Sequence, residues 1–488
     1  MKGIIPFFLG LLSIGFAQSN MGLVWGPPIT VANGSVYDNV RPQITLADGD
    51  IPLVTWASNV AGNKGWVSRK SGSTFDTPYK LNPTGQINAY TVEGPNIAAR
   101  GDYAYAVYTK APTNSSAIFL VRSTDAGLTW ETPIWVDSLS SGIPNFANIG
   151  VLADGNPIVM YMRQTSNWAN PRYVVRQSTD FGLTWQPEVP ISGAAPGGLV
   201  CDCCTGQVYS NGNRIVGVFR NELSHLRDMW ATVSTDGGQS FGTPVDLDST
   251  DWVIAACPMS GPQAMFVGDS IYTVFMSQGS NGLSRVWLGA SNLADSTFGW
   301  NRMLLDSVSV ITQNYPTIAG NGDTMMIAWL QGNGSNAEIA LRWSFSGVEG
   351  LFDNKPIYVS DWASGVQTFP DISWNNGKLH MVWQDNSNNT VVYREATVGV
   401  PTQLDLPTPN DWAIAPNPAR EYFKLTNLPE NGGKWQLSDL QGRLLMRGDF
   451  AGQTDIQIAI NRIAQGQYFL TVTDHLARSS TKPILIRH

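Results

Sequence analysis

The sequence is poor in charge and in histidine. Asp, Glu, Lys and Arg make up 14% of the 488 residues, and 30 basic residues face 38 acidic ones. The formal net charge of −8 argues against a nucleic-acid partner, because few basic groups are present to displace the counterions of a phosphate backbone. The histidines are too far apart in sequence to form a helical zinc-protease pair; they are His225, His380, His475 and His488.

Long hydrophobic runs are also scarce, and the one that is present lies at the N-terminus. Lys2 precedes a 14-residue apolar stretch over Ile4–Ala17, which ends in small residues. This pattern predicts a secretory signal peptide over residues 1–17, and the run is too short to span a bilayer comfortably. We therefore expect an exported protein without a transmembrane segment. Its four cysteines would then face an oxidising compartment.

Glycine and aromatic residues are abundant, and many of them belong to a repeat. Segments that begin at Ser123, Ser178 and Ser234 follow the pattern S-x-D-x-G-x-[TS]-[WF] and start 55 and 56 residues apart. We expect the Asp to accept N–H bonds in a tight turn, the Gly to adopt a positive φ and the aromatic ring to enter a sheet core. The residues with these structural roles are Asp125, Gly127, Trp130, Asp180, Gly182, Trp185, Asp236, Gly238 and Phe241.

Seven predicted hairpins recur at a similar interval. Each has a strand, a Gly-containing turn and a second strand that ends in aromatic residues, which is a strong hairpin signal. The spans are Arg41–Trp56, Glu93–Tyr108, Phe146–Tyr161, Cys203–Phe219, Met259–Phe275, Asn314–Trp329 and Thr368–Trp383. Trp25–Val31 has the spacing of a fourth strand, so we expect the N-terminal segment to complete the last unit. The sequence predicts an all-β, seven-bladed propeller over residues 22–398, with six blades as the alternative.

The repeated segments resemble the Asp-box (BNR) repeats of sialidases and related β-propellers. The resemblance implies that each box joins the third and fourth strands of a blade, away from the ligand face. It also implies a ligand site at the mouth of the central channel, where the first strands begin. A sialidase site needs three arginines for the substrate carboxylate, a Tyr–Glu nucleophile pair and an acid for the leaving group.

Five residues are the candidates for this site. Arg41 and Tyr315 match the family's placement at the starts of first strands, and the others are Glu93, Arg220 and Arg285. Arg220, Arg227 and Arg285 could complete the arginine triad, and Glu93 or Glu222 could pair with the tyrosine. Two functions fit the resemblance. We favour recognition of an extracellular glycan or glycoprotein without catalysis, and the alternative is an active exo-sialidase or another glycoside hydrolase.

The four cysteines lie at the starts of two neighbouring units. Disulfides are the usual state of cysteine in an exported protein, and a Cys204–Cys257 bridge would join adjacent blades. The partners of Cys201 and Cys203 stay open. A copper(I) site made of the four thiolates and Met259 is the alternative, which would indicate a copper- or redox-linked surface protein. We favour disulfides and no cofactor.

The chain changes character after residue 398. Residues 399–410 are rich in proline and polar residues and are predicted to be a linker. Residues 411–488 show short alternating strands, which predict a small β-sandwich. The segments that begin at Ala415, Leu437, Gly466 and Lys482 together resemble a type A C-terminal sorting domain of the type IX secretion system. This implies contact of residues 411–488 with that machinery, and export across the outer membrane to the medium or the cell surface.

Overall fold

The computed structural model describes most of the chain. The described residues are 22–33, 39–58, 62–89, 92–112, 115–137, 142–279, 282–293, 297–303, 311–333, 336–353, 355–360, 365–399, 412–429, 432–439, 443–461, 463–474 and 479–487. The predicted signal peptide over residues 1–17 lies outside them. So does the predicted linker over residues 399–410, except for its first residue.

Strands dominate the first part of the described chain. In chain order they are β1 Gly22–Trp25, β2 Ile29–Asn33, β3 Asn39–Ala47, β4 Ile51–Ser58, β5 Lys64–Ser71, β6 Thr74–Phe75, β7 Tyr79–Lys80, β8 Gln86–Ile87, β9 Asn96–Arg100, β10 Tyr103–Ala111, β11 Ala117–Ser123, β12 Ile134–Trp135, β13 Ile143–Val151, β14 Pro157–Gln164, β15 Arg172–Gln177 and β16 Val189–Pro190. A 3-10 turn over Asp48–Asp50 joins β3 to β4.

The same pattern continues to residue 399. The strands are β17 Leu199–Val200, β18 Gln207–Asn211, β19 Arg214–Glu222, β20 Met229–Ser234, β21 Val245–Asp246, β22 Gln263–Val267, β23 Ser270–Ser277, β24 Arg285–Asn292, β25 Thr297–Met303, β26 Gln313–Asn321, β27 Thr324–Asn333, β28 Asn336–Ser344, β29 Ile357–Tyr358, β30 Gln367–Asn375, β31 Lys378–Asp385 and β32 Thr390–Gly399. One helix, α1, spans Gly347–Asp353 between β28 and β29.

These strands form seven antiparallel sheets of four or five strands within the described residues. Most sheets are built from strands that follow one another in sequence, such as β13-β14-β15-β16 and β26-β27-β28-β29. The last sheet is different, because β1 and β2 pair with β32 through Gly22 opposite Gly399 and Ile29 opposite Tyr393. The prediction that the N-terminal segment completes the final unit is therefore confirmed.

The inner strands of successive sheets contact one another. They follow the order β3, β9, β13, β18, β22, β26 and β30, and β30 also contacts β3. Hydrophobic clusters fill the spaces between adjacent sheets. Trp329 of β27 and Trp383 of β31 are fully buried in two such clusters. This arrangement brings the starts of the inner strands together at one end.

The C-terminal part forms a separate core. Its strands are β33 Ala413–Ala415, β34 Tyr422–Thr426, β35 Gly433–Ser438, β36 Leu444–Phe450, β37 Ile456–Ala459, β38 Gly466–Asp474 and β39 Ser479–Ile486. They make a three-stranded and a four-stranded sheet around one apolar cluster that includes Trp412, Phe423 and Leu470. None of the helices in the described residues has the length and hydrophobicity needed to cross a membrane.

Candidate functional site at the inner-strand starts

Irregularities near the starts of four inner strands set the geometry of the candidate site. The antiparallel register shifts between Val40 and Gln43 in β3, and at the matching positions of β13, β26 and β30. One residue in each shift has a positive φ; these are Arg41 (54°), Phe146 (55°), Tyr315 (48°) and Phe369 (50°). A bulge changes the direction of a side chain. The backbone strain of a positive φ costs a non-glycine residue about 1–3 kcal/mol. Such strain is typical of functional sites.

Three of these four residues line one pocket. Arg41, Tyr315 and Phe369 share it with residues from the β17–β18 and β21–β22 connections and from the inner strands, namely Gln43, Thr205, Gln207, Met259, Ser260, Gly261, Pro262, Gln263, Pro316 and Pro370. We call this set the mouth pocket. The Tyr315 and Phe369 rings are 4.3 Å apart between centroids. The pocket thus combines a cation, two aromatic rings and several amide side chains.

Arg41 is the main charge in the mouth pocket. Its Cζ lies 4.9 Å from the centre of the Phe369 ring. Within the described part of the chain, its guanidinium forms no ion pair and donates no side-chain hydrogen bond. Burial lowers the pKa of Arg41, whereas the nearby Tyr315, Asp371 and Glu93 raise it. An arginine whose donors make no hydrogen bond to a carboxylate is suited to bind an anionic group of a ligand.

Tyr315 contacts no base of the kind that a nucleophile needs within the described residues. Burial raises the pKa of its hydroxyl, and Arg41 opposes this shift. Among the described residues, no hydrogen bond joins Tyr315 to a carboxylate. Glu93 is buried near Arg41, and its Oε1 accepts the backbone N–H of Phe146 at 2.9 Å. Burial also raises the pKa of Glu93. The structure therefore brings Arg41, Glu93 and Tyr315 to one region without forming a Tyr–Glu pair.

Arg220 occupies a structural position. Its side chain is fully buried, and it donates to the carbonyl oxygens of Ser260, Arg227 and Met276 at 3.3, 2.7 and 2.7 Å. Its Cζ also lies 5.2 Å from the centre of the Trp252 ring. The guanidinium does not line the mouth pocket, although Ser260 does. The expectation that Arg220 binds a ligand carboxylate is corrected, because backbone carbonyls use its donors.

The other arginines of the expected triad are also engaged elsewhere. Arg285 is buried and donates to the carbonyl oxygen of Ile311 at 2.6 Å and to that of Ser284 at 3.0 Å. The Arg227 Nε lies 2.6 Å from a carboxylate oxygen of Glu222. Neither arginine lines the mouth pocket. Among the residues that the structure describes, the three convergent guanidinium groups that the sialidase resemblance implies are therefore not assembled around Arg41.

The inner strands line a cavity of about 270 Å³ next to the mouth pocket. Each inner strand contributes an amide, hydroxyl or carboxyl side chain to this lining; these residues are Gln43, Asn96, Asn148, Gln207, Gln263, Thr317 and Asp371. Some of them join neighbouring sheets. Asp371 accepts the N–H of Ile44 at 2.8 Å and the Thr317 hydroxyl at 3.1 Å. Burial raises the pKa of Asp371 to about 6.

The cysteine pairing differs from the expected one. Cys203 is bonded to Cys257 and Cys201 to Cys204, with Cα–Cα distances of 6.1 and 5.4 Å. A bridge between neighbouring units is present, but Cys203 rather than Cys204 makes it. The predicted Cys204–Cys257 pair is wrong, because the buried Cys204 lies next to Cys201 in a tight turn. Disulfide sulfurs are not thiolates, so the structure favours disulfides over the copper site that would include Met259.

The Asp boxes lie at the other ends of the strands. In the first box, Asp125 accepts the N–H and the hydroxyl of Thr129 at 2.8 and 2.6 Å, and also accepts the Ser123 hydroxyl at 2.7 Å. The N–H of Ala126 donates to Asp102 in the β9–β10 turn. The second and third boxes repeat these contacts through Asp180 and Asp236. The glycines Gly127, Gly182 and Gly238 all have positive φ, and Trp130, Trp185 and Phe241 pack against apolar clusters.

Sequence reasoning missed Phe369 and the amide side chains of the pocket. A usable signal was present, since Arg41, Tyr315 and Phe369 each precede a proline near the start of an inner strand. Proline restricts the residue before it. A repeated residue–proline pair at equivalent strand starts could therefore have identified all three positions.

The seven sheets, the Asp boxes and the separate C-terminal sheets define a repeat protein of the Asp-box type with a distinct C-terminal unit. Residues 12–327 match the BNR repeat-like domain family, and the chain belongs to that family. Residues 413–487 match the secretion system C-terminal sorting domain. This tail indicates export by type IX secretion to the cell surface or beyond.

Several solved structures are similar to this chain. A protein of unknown function from Dyadobacter fermentans is 11% identical with a TM-score of 0.47, covering 78% of this chain and 100% of that one. The NanB sialidase from Streptococcus pneumoniae is 8% identical with a TM-score of 0.43, covering 62% and 67%. A sialidase from Trypanosoma rangeli is 11% identical with a TM-score of 0.44, covering 95% and 88%. No curated protein sequence matches the chain.

Proposed function

We propose that this protein is an exported, non-catalytic β-propeller that recognises acidic extracellular glycans, or glycoproteins that carry them, at the mouth pocket. Arg41 carries the proposal, because in the described residues its guanidinium forms no ion pair within 4.0 Å and donates no hydrogen bond, and it lines a pocket with Tyr315 and Phe369. A guanidinium can bind a sugar carboxylate or sulfate through two parallel bonds. The glutamine amides can donate to and accept from sugar hydroxyls.

The proposed architecture is a ring of seven blades over residues 22–398. It is supported by the seven sheets and by the cyclic contacts of the inner strands, including that between β30 and β3. The proposed order of the remaining parts is a signal peptide over residues 1–17, a linker over 399–410 and a sorting domain over 411–488. In this arrangement the mouth pocket opens at the end of the ring opposite the Asp boxes.

Arg41→Met tests the recognition function. The purified protein is applied to immobilised neutral, carboxylated and sulfated glycans, and the dissociation constant for the best ligand is measured by calorimetry. A hydrogen-bonded charge pair contributes about 1.5–3 kcal/mol, so the variant is expected to bind about 10- to 150-fold more weakly. Arg100→Met is the matched control, because Arg100 is exposed at the opposite end of β9. Binding to neutral glycans alone, or equal affinity of Arg41→Met and wild type, would contradict the proposal.

An active exo-sialidase is the second candidate, and the position of Tyr315 beside Arg41 favours it. Release of a fluorophore from a sialoside is measured for wild type and for Tyr315→Phe. The recognition proposal expects no release by either protein, because no carboxylate of the part of the chain that the structure describes is hydrogen-bonded to Tyr315, and its raised pKa disfavours the phenolate. Release by wild type that Tyr315→Phe abolishes would establish the sialidase instead.

A further inference from the structure

The four cysteines form one compact group of two disulfides. The Sγ atoms of Cys201, Cys203 and Cys204 all lie within 4.8 Å of one another. The Sγ of Cys203 is bonded to Cys257 and lies 3.7 Å from the Sγ of Cys201, which belongs to the other disulfide. Exchange between two disulfides requires a thiolate to approach a sulfur of the second bond. The 3.7 Å separation provides such an approach once the Cys203–Cys257 bond is opened.

The two disulfides differ in their exposure to solvent. Cys257 is exposed and Cys203 is half-buried, so an external thiol can reach the bond between them. Cys201 and Cys204 are buried, with exposed fractions of 0% and 1%. An external thiol is therefore expected to attack at Cys257 first. The buried disulfide is reached from within the group, through Cys203.

Arg227 places a positive charge beside these sulfurs. Its Nη1 lies 3.1 Å from the Sγ of Cys201 and 3.9 Å from the Sγ of Cys203. A neighbouring cation stabilises a thiolate and makes it a better leaving group. Glu222 holds the guanidinium from the other side through its contact with Nε at 2.6 Å. The arrangement favours departure of Cys203 as a thiolate when the exposed bond is cleaved.

We propose that the cysteine group is a thiol–disulfide exchange site for an external dithiol. One thiolate of the dithiol attacks Sγ of Cys257, the Cys203–Cys257 bond breaks, and Cys203 leaves as a thiolate. Cys203 then attacks Sγ of Cys201, and Cys204 leaves and takes a proton. The second thiol of the dithiol displaces Cys257 as a thiol and closes the reductant's own disulfide. Two electrons and two protons pass to the protein, which retains a Cys201–Cys203 disulfide and two thiols.

Site-resolved alkylation tests the exchange in the full folded chain. The oxidised protein receives one equivalent of dithiothreitol without oxygen, and free thiols are then blocked with N-ethylmaleimide. The remaining disulfide is reduced in denaturant and labelled with deuterated N-ethylmaleimide, and peptide fragmentation locates both labels. The expected first label is on Cys204 and Cys257. A first label on Cys203 and Cys257, on all four cysteines equally, or on none would overturn the proposal.

The double variant Cys201→Ser, Cys204→Ser is the matched control. It keeps the exposed bond but removes the bond that Cys203 would attack. The first label is therefore expected on Cys203 and Cys257. If the first label in this variant were absent, the exposed bond would not be the point of entry, which would also overturn the proposal.

Arg227 is tested as a positioning residue in the same double variant. The pH midpoint for alkylation of the freed Cys203 is measured with Arg227, with Arg227→Lys and with Arg227→Met. Loss of the cation is expected to raise the midpoint by about one pH unit, and lysine is expected to restore part of this shift. A purely structural role of Arg227 would leave the midpoint unchanged. Coincident pH profiles for the three proteins would therefore refute the role of Arg227 in stabilising the thiolate.

Discussion

Replacing Arg220 with methionine separates a structural arginine from a ligand-binding one. Burial lowers the pKa of Arg220 to about 10, so the side chain is still charged at neutral pH. The change to methionine keeps an unbranched side chain but removes the charge and all donors to Ser260, Arg227 and Met276. It also removes the cation that faces the buried Asp248 and Asp228. The expected loss is therefore one of stability.

The magnitude follows from these contacts. Removing one partner of a buried charge arrangement typically costs about 3–5 kcal/mol, because the remaining charges and carbonyls stay buried. We expect Arg220→Met to lower the free energy of unfolding by about that amount. The affinity for an acidic glycan, measured on the fraction that stays folded, is expected to be unchanged. Arg41→Met is expected to weaken binding and to cost less stability than Arg220→Met, because Arg41 faces Asp371 and Glu93 but donates no side-chain hydrogen bond in the described residues.

Urea unfolding followed by tryptophan fluorescence, combined with calorimetry of glycan binding, measures both quantities. Arg100→Met provides the control, because a substitution of an exposed residue usually changes stability by less than about 0.5 kcal/mol. The reasoning is refuted if Arg220→Met unfolds at the same urea concentration as wild type while losing its affinity for the glycan. That outcome would return Arg220 to the ligand site.

Two further predictions concern the aspartates. Burial raises the pKa of Asp228 to about 7 and that of Asp246 to about 6. The folded state therefore binds protons at these carboxyl groups more tightly than the unfolded state does. As a consequence, the free energy of unfolding falls as the pH rises from about 4 through 7. Asp228→Asn should flatten this decline in the melting temperature between pH 5 and 8, and an unchanged slope would contradict it. At the opposite end of the strands, hydrogen bonds from Thr184 lower the pKa of Asp180 to about 2. Asp180→Ala should lower the urea midpoint at pH 7 without changing glycan affinity. The difference in midpoint from wild type should shrink as the pH falls towards 2. Loss of glycan binding would contradict this and would link the Asp box to the mouth pocket.

The strand pattern was predictable because its signals are local. The Asp-box contacts join residues within four positions of each other, as between Asp125 and Thr129. The Gly-containing turns likewise depend on the φ preferences of adjacent residues. The spacing of these signals was enough to predict seven hairpins and the pairing of the N-terminal segment with the final sheet. The sorting tail was also recognisable, because its four segments occur in a fixed order.

The candidate site was predictable only in part. Arg41 and Tyr315 were found because they stand at the starts of inner strands, and the structure places both in the mouth pocket. Arg220 and Arg285 were chosen by residue type, but their donors are directed to backbone carbonyls. A sequence shows that an arginine is present without showing which acceptors surround it. The cysteine pairing could not be predicted either, because four cysteines allow three pairings and the sequence satisfies them equally well.

The amino-acid sequence by itself determined the repeat, the hairpins and the tail, since each depends on hydrogen bonds and turn conformations among residues close together in the chain. Only the tertiary structure decided which arginine side chains are hydrogen-bonded to backbone carbonyls and which cysteines are paired. Arg220 meets the carbonyl of Met276 and Cys203 meets Cys257 across neighbouring sheets, more than fifty positions apart. Arg41 has no such partner among the described residues, and it lines a pocket whose other walls come from distant parts of the chain. The chemistry of the site therefore depends on how the sheets pack together.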